Sequence, residues 1–203
     1  MFFLISFLWL LPTSFLFFFA ILSPNWITFT KLESNEVILV QRGIFSICYV
    51  LSSNSTYETK QCVPMIQQRT STEPERWIYG LALGCASMAI ICVIFSIIML
   101  FLSGIYFQLR RHNEKKLRYL LFMCLLLFII VGASLSVWAL LISETYRLGI
   151  TANHRRFNWP IWLAIVSTIG YLVSFITMFS SFLIIYRRNN NMELHVHRLR
   201  EKF

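Results

Sequence analysis

Four stretches of this chain contain no Asp, Glu, Lys, Arg or His: residues 1–29, 77–109, 119–143 and 157–186. Each exceeds the roughly 20 residues that a helix needs to cross the hydrocarbon of a bilayer. The 203 residues are 57% hydrophobic and only 13% charged, about half the charge of an average soluble domain. The expected fold class is a membrane protein, a left-handed four-transmembrane-helix bundle with spans at 2–23, 77–107, 119–143 and 159–186. One domain then comprises these spans, a long outer loop (24–76), an inner loop (108–118), a shorter outer loop (144–158) and a tail (187–203). Residues 1–29 could also be read as a signal peptide. They lack a basic n-region and a small-x-small site before Pro24, and their apolar run is too long, so a retained helix is expected.

The net charge of +9 would suggest nucleic acid for a soluble protein. Here the basic residues fall in short runs between apolar blocks, the pattern of loops flanking membrane spans, and no nucleic-acid partner is expected. Arg110, Arg111, Lys115, Lys116 and Arg118 lie in the inner loop, and Arg187, Arg188, Arg198, Arg200 and Lys202 in the tail. By the positive-inside rule both segments, and hence both termini, are cytosolic. Trp26, Trp77, Trp159 and Trp162 then fall at outer ends of the spans, and Tyr106, Tyr119 and Tyr186 at inner ends, as interfacial aromatics do. Asn54-Ser55-Thr56 is a glycosylation sequon in the long loop, usable if that loop is luminal. The expected location is the plasma membrane, with sites of cell–cell contact as one setting.

In lipid, helices associate through small residues that let backbones approach. Ser167, Gly170, Ser174, Thr177 and Ser181 make such a stripe on the fourth span, and Gly132, Ser136, Ala139 and Ser143 another on the third. Gly80 and Gly84 open the second. Packing within the chain is the default use of these stripes, and a dimer or partner face is the alternative. The first span is rich in Phe and poor in small residues, so more of it should face lipid. The second, from Trp77 to Tyr106, is about 44 Å long as a helix and must tilt or protrude.

Between Trp26 and Arg76 the pattern changes to short β-forming runs, at residues 27–32, 37–40, 44–51 and near 60–63, with Asn35 and Gly43 as turn residues. A small extracellular antiparallel β-sheet in the first outer loop is expected. Cys48 and Cys62 are the only cysteines outside the spans, and two lone luminal cysteines form a disulfide by default. Two thiols with no nearby luminal His make half a zinc site, so no metal is expected.

Trp26, then Gly43-Ile44-Phe45-Ser46-Ile47-Cys48, then Cys62, resembles the W…G-L-W-x-x-C…C signature of the claudin superfamily, which includes the peripheral myelin protein, epithelial membrane protein and channel γ-subunit groups. Arg76, at the mouth of the second span, matches a basic residue that many members carry. Ile44-Phe45 stands where the signature has Leu-Trp, and the chain ends Glu201-Lys202-Phe203 rather than in tyrosine-valine. The resemblance implies that Trp26 and the Gly-x-aromatic corner anchor the sheet onto the helix ends. Trp26 would bury its ring and keep its N–H toward water. Arg76 would bind loop carbonyls, Glu73 or Glu75, or else snorkel at the interface.

No catalytic site is expected. No ionisable residue lies within the spans, which argues against a pump or an ion-coupled transporter. Cys85 and Cys92 are seven apart and Cys124 stands alone, so they read as small packing residues and no C-x-x-C redox pair exists. Phosphate loop, His–Glu metal and G-x-S-x-G motifs are missing, and no cofactor is expected. Arg42, Glu144 and the other mixed charges of the outer loops read as a solvated face. The functional expectation is a non-catalytic role in membrane organisation, cell–cell contact or as an auxiliary subunit, with a strand-forming paracellular barrier or channel as the alternative. Partners would be membrane lipid, proteins met in cis or trans through the outer loops, a second copy in a homo-oligomer, and a cytosolic scaffold at the tail. That tail reads either as an amphipathic helix on anionic lipid or as disorder.

Overall fold

The computed structural model describes residues 2–33, 36–51, 59–64, 73–108, 113–148 and 153–200. Four long helices, α1 (Phe2–Leu22), α2 (Glu73–Gln108), α3 (Asn113–Leu148) and α4 (Trp159–Arg200), carry apolar segments long enough to cross a membrane. Five strands, β1 (Ile27–Glu33), β2 (Glu36–Arg42), β3 (Ser46–Leu51), β4 (Thr59–Pro64) and β5 (Asn153–Phe157), form one antiparallel sheet in the order β4-β3-β2-β1-β5. The fold class is thus a four-helix membrane bundle with a small antiparallel sheet.

Each helix buries one seam with alternating steps of three and four residues. On α1 it is Ser6, Leu10, Thr13, Phe17 and Ala20; on α2, Ala82, Cys85, Ala89, Cys92, Ser96, Met99 and Ser103. On α3 it is Met123, Leu127, Ile130, Ser134, Val137, Leu141 and Glu144; on α4, Ala164, Ser167, Tyr171, Ser174, Met178 and Ser181. A mean step of 3.5 residues keeps a seam on one side of a left-handed pair. The small seam of α2 faces the bulkier seam of α3, and the two pack closely, as do α1 with α4. Between α3 and α4 the contact is less extensive, and α1 touches α2 little.

The seams sort the small residues. Ser174 and Ser6 exchange hydroxyl-to-carbonyl hydrogen bonds at 2.8 and 3.4 Å. A Cβ on Gly170 would overlap Thr13, so α1 and α4 touch backbone to side chain there. Ser167 is buried with its hydroxyl on the Leu163 carbonyl, Thr177 is half-buried, and Gly84 lies against Leu140. Gly80 and Gly132, expected in packing, are exposed with nothing within 4 Å of an added Cβ. Ser136 is half-exposed, bonded to its own helix at Gly132, and Ala139 and Ser143 face outward too. The reason is that α3 packs through its Met, Leu, Ile and Val seam, which leaves its small stripe on the outer side. Conversely, α1 does have small seam residues, Ser6, Thr13 and Ala20.

Three elements outrun their sequence bounds. The helix of α3 continues through Glu144 to Leu148, and α2 begins at Glu73. The tail is neither a separate amphipathic helix nor a break at Asn189-Asn190-Asn191, because α4 runs unbroken to Arg200. Its 42 residues span about 63 Å. β5 comes from the second outer loop, whose Asn-His-Arg-Arg-Phe has no apolar alternation. It pairs at the sheet edge, where charge is common.

Candidate functional site at the junction of sheet and bundle

The sheet is set on the helix ends by a row of paired residues. Ile27 of β1 opposes Arg42 of β2, which opposes Ile47 of β3, and residues directly opposite across strands share a face. All three are buried. Arg42 Nη1 pairs with Oε1 of Glu144 on α3, and the two residues are 5% and 1% exposed. Burial pulls the guanidinium below its ordinary value, to about 10, which still leaves it a cation at neutral pH. The pair is therefore a charged clamp in a water-poor junction. A residual cavity of about 10 Å3 adjoins it, bounded by Trp26, Gly43, Ile44, Cys85 and Leu141. Arg42 and Glu144, expected on a solvated face, are instead the junction's polar core. The signal that could have found Glu144 is its place as the seventh member of the α3 seam.

Trp26 is the second attachment. Its ring is buried, and its indole N–H donates to the carbonyl of Ala20 at 2.7 Å rather than to water. That carbonyl lies in the last turn of α1, where backbone acceptors lack helical partners. The Trp26 amide donates to Arg42 O at 2.7 Å, and the Asn158 amide donates to Trp26 O at 3.2 Å. One residue thus joins α1, β2 and the start of α4. Asn158 adds a bond from its side-chain amide to Thr28 Oγ1 at 2.7 Å, and its carbonyl accepts from Ile161 at 3.2 Å, as at a helix N-cap.

Gly43 turns the chain between β2 and β3, its amide donating to Ser46 O at 2.8 Å. An added Cβ would stand 2.9 Å from Pro24 Cα, so the turn and the α1–β1 connection touch backbone to backbone. At the corner itself Ile44 is buried and Phe45 is exposed, so the aliphatic residue, not the aromatic one, anchors it. Cys48 and Cys62 are directly opposed on β3 and β4 and form a disulfide. Asn54 and Asn35 lie outside the described residues. Arg76 falls in the first turns of α2, and its side chain also lies outside the described residues.

Among the described residues no three His, Cys, Asp or Glu side chains come together as a metal site would require. Cys85 and Cys92 are buried on the α2 seam, facing the carbonyls of Val137 and Ile130 at 3.8 and 3.9 Å, and Cys124 is buried on α3. What the arrangement does physically is hold a braced sheet in fixed relation to a membrane bundle. No protein-family model matches this chain, and no curated protein matches it.

Proposed function

We propose that this chain is a non-catalytic, claudin-like four-pass protein that presents its outer sheet to protein partners, in membrane organisation, in cell–cell contact or as an auxiliary subunit of a membrane complex. The observation that carries this reading is the double fastening of the sheet to the bundle, through Trp26 on α1 and through Arg42 on Glu144 of α3. A surface held this way meets a partner without first being ordered, which lowers the cost of binding. Of the claudin-like signature, Trp26, Gly43 and Ile44 pack into the junction, and the Cys48–Cys62 bridge braces β4 onto β3. The outward stripe of Gly132, Ser136, Ala139 and Ser143 on α3 favours the auxiliary-subunit form, since small residues facing lipid let a foreign helix approach. In this reading the protein lies in the plasma membrane with cytosolic termini, the sheet is extracellular, and Asn54 is glycosylated.

The test uses a tail-tagged full chain in cells without junctions, comparing contacts between two expressing cells with contacts to a non-expressing neighbour. Enrichment at expressing–expressing contacts assigns the sheet to pairing between cells. Uniform surface signal, with a membrane protein co-purifying in mild detergent and released when Gly132 and Ser136 are both changed to Leu, assigns it to a complex within one membrane. Uniform signal with no co-purifying protein overturns the proposal.

A further inference from the structure

Because α1 rests on α4 and α2 on α3, the bundle is left open between α1 and α2. A cavity of about 240 Å3 occupies that opening. Phe15 and Phe18 of α1 and Ile97 of α2 are exposed at its rim, and Tyr171 of α4 and Ser96 of α2 form its buried floor. These residues all lie within the apolar spans, Phe18 one turn from the end of its span and the others deeper, so the medium at the mouth is hydrocarbon. An apolar void open to hydrocarbon forfeits contacts on one side and is filled from that medium.

Three observations define the occupant. The floor needs no polar ligand, because Ser96 Oγ and Tyr171 Oη lie 3.0 Å apart, Ser96 also donates to Cys92 O at 2.7 Å, and Ser14 donates to Leu10 O at 2.8 Å. A headgroup, or any ligand that must be hydrogen-bonded, therefore gains nothing there. The volume exceeds the roughly 150 Å3 that holds a benzene ring and falls below the roughly 300 Å3 at which sites for drug-sized ligands begin. A partner helix, about 10 Å across, is too wide to enter. We infer that this cavity is a binding site for one acyl chain of a membrane phospholipid, held by Phe15, Phe18, Ile97 and Leu100 against Tyr171.

The experiment places the full chain in nanodiscs of phosphatidylcholine doped with a phosphatidylcholine that carries a diazirine at mid-chain, followed by illumination and peptide mapping. A held chain labels Phe15, Phe18, Ile97 and the half-buried Leu100 about tenfold more than Phe128 and Leu135, which on average are at least as exposed on α3. Val93→Trp and Ser14→Phe, from opposite walls, each fill the cavity and remove that excess while leaving the α3 labelling unchanged. Equal labelling of the two regions in the unmodified chain overturns the inference without recourse to either variant. So does an excess that survives both substitutions.

Discussion

The indole nitrogen of Trp26 donates to the carbonyl oxygen of Ala20 across 2.7 Å, tying the first residue before the sheet to the last turn of the first helix. Both groups are out of water, so losing the donor leaves that carbonyl with only the longer bond from the Ser23 amide, at 3.2 Å. Trp26→Phe removes the N–H together with part of the buried ring, and is expected to cost about 1–3 kcal/mol. Trp26→Ala also opens a cavity and should cost about 3–5 kcal/mol. Thermal unfolding in detergent micelles measures both. Equal stability of Trp26→Phe and the unmodified chain would mean that neither this hydrogen bond nor the lost part of the ring supports the fold.

Glycines that look alike in sequence part company in the bundle. Gly170→Ala forces a methyl into Thr13 and should destabilise by about 1–3 kcal/mol. Thr13→Ala in the same chain should recover most of that loss. Gly132→Ala and Gly80→Ala meet open space, and each should be neutral or stabilising by up to about 1 kcal/mol through helix propensity. The same unfolding assay separates the two classes, and a destabilising Gly132→Ala in the monomer would contradict the outward placement of that stripe.

Much of this architecture is written in the chain in plain terms. The four charge-free stretches became α1 to α4, and the β-forming runs of the long loop became β1 to β4, because both patterns record a local environment, lipid on one hand and a half-buried pleat on the other. What the small-residue rule misplaced were seams. Gly132 and Ser136 differ from Ile130 and Ser134 by only two positions, and lipid tolerates a small residue as readily as a helix interface does. The seven-residue period of 123, 127, 130, 134, 137, 141 and 144 carried the better signal, and it ends on a carboxylate. Arg42 and Glu144 were illegible as partners because a charge in an outer loop is solvated unless tertiary structure closes over it, and 102 positions of sequence separate the two. β5 was hidden for a similar reason: an edge strand of His and Arg owes its form to the neighbouring Ile27 and Thr28, not to its own pattern. At the tail, the run of asparagines weakens a helix but does not stop one that arrives already nucleated from the membrane.

The disulfide fastens an edge strand. β4 has a single neighbour, β3, and Cys62 sits opposite Cys48 within that pair. Closing a loop of this length stabilises by about 3 kcal/mol in the chain-entropy picture. Replacing both cysteines by Ser should therefore loosen β4 first. Hydrogen exchange should show amides of β3 and β4 losing protection while those of β1, held between β2 and β5, keep theirs. Uniform loss across all five strands would show instead that the bridge supports the whole sheet.

The clamp of Arg42 on Glu144 is the feature on which a rigidly mounted sheet depends most. Removing one member takes the counter-charge from the other, still buried, at a cost of about 3–5 kcal/mol, whereas replacing both with apolar residues of similar size is near neutral. The decisive measurement is a double-mutant cycle of Arg42→Met and Glu144→Leu in the full chain, read by thermal unfolding in micelles. The account predicts that each single variant unfolds well below the unmodified protein and that the double variant unfolds above either single one. Additive losses, or singles that leave the unfolding temperature unchanged, would contradict it.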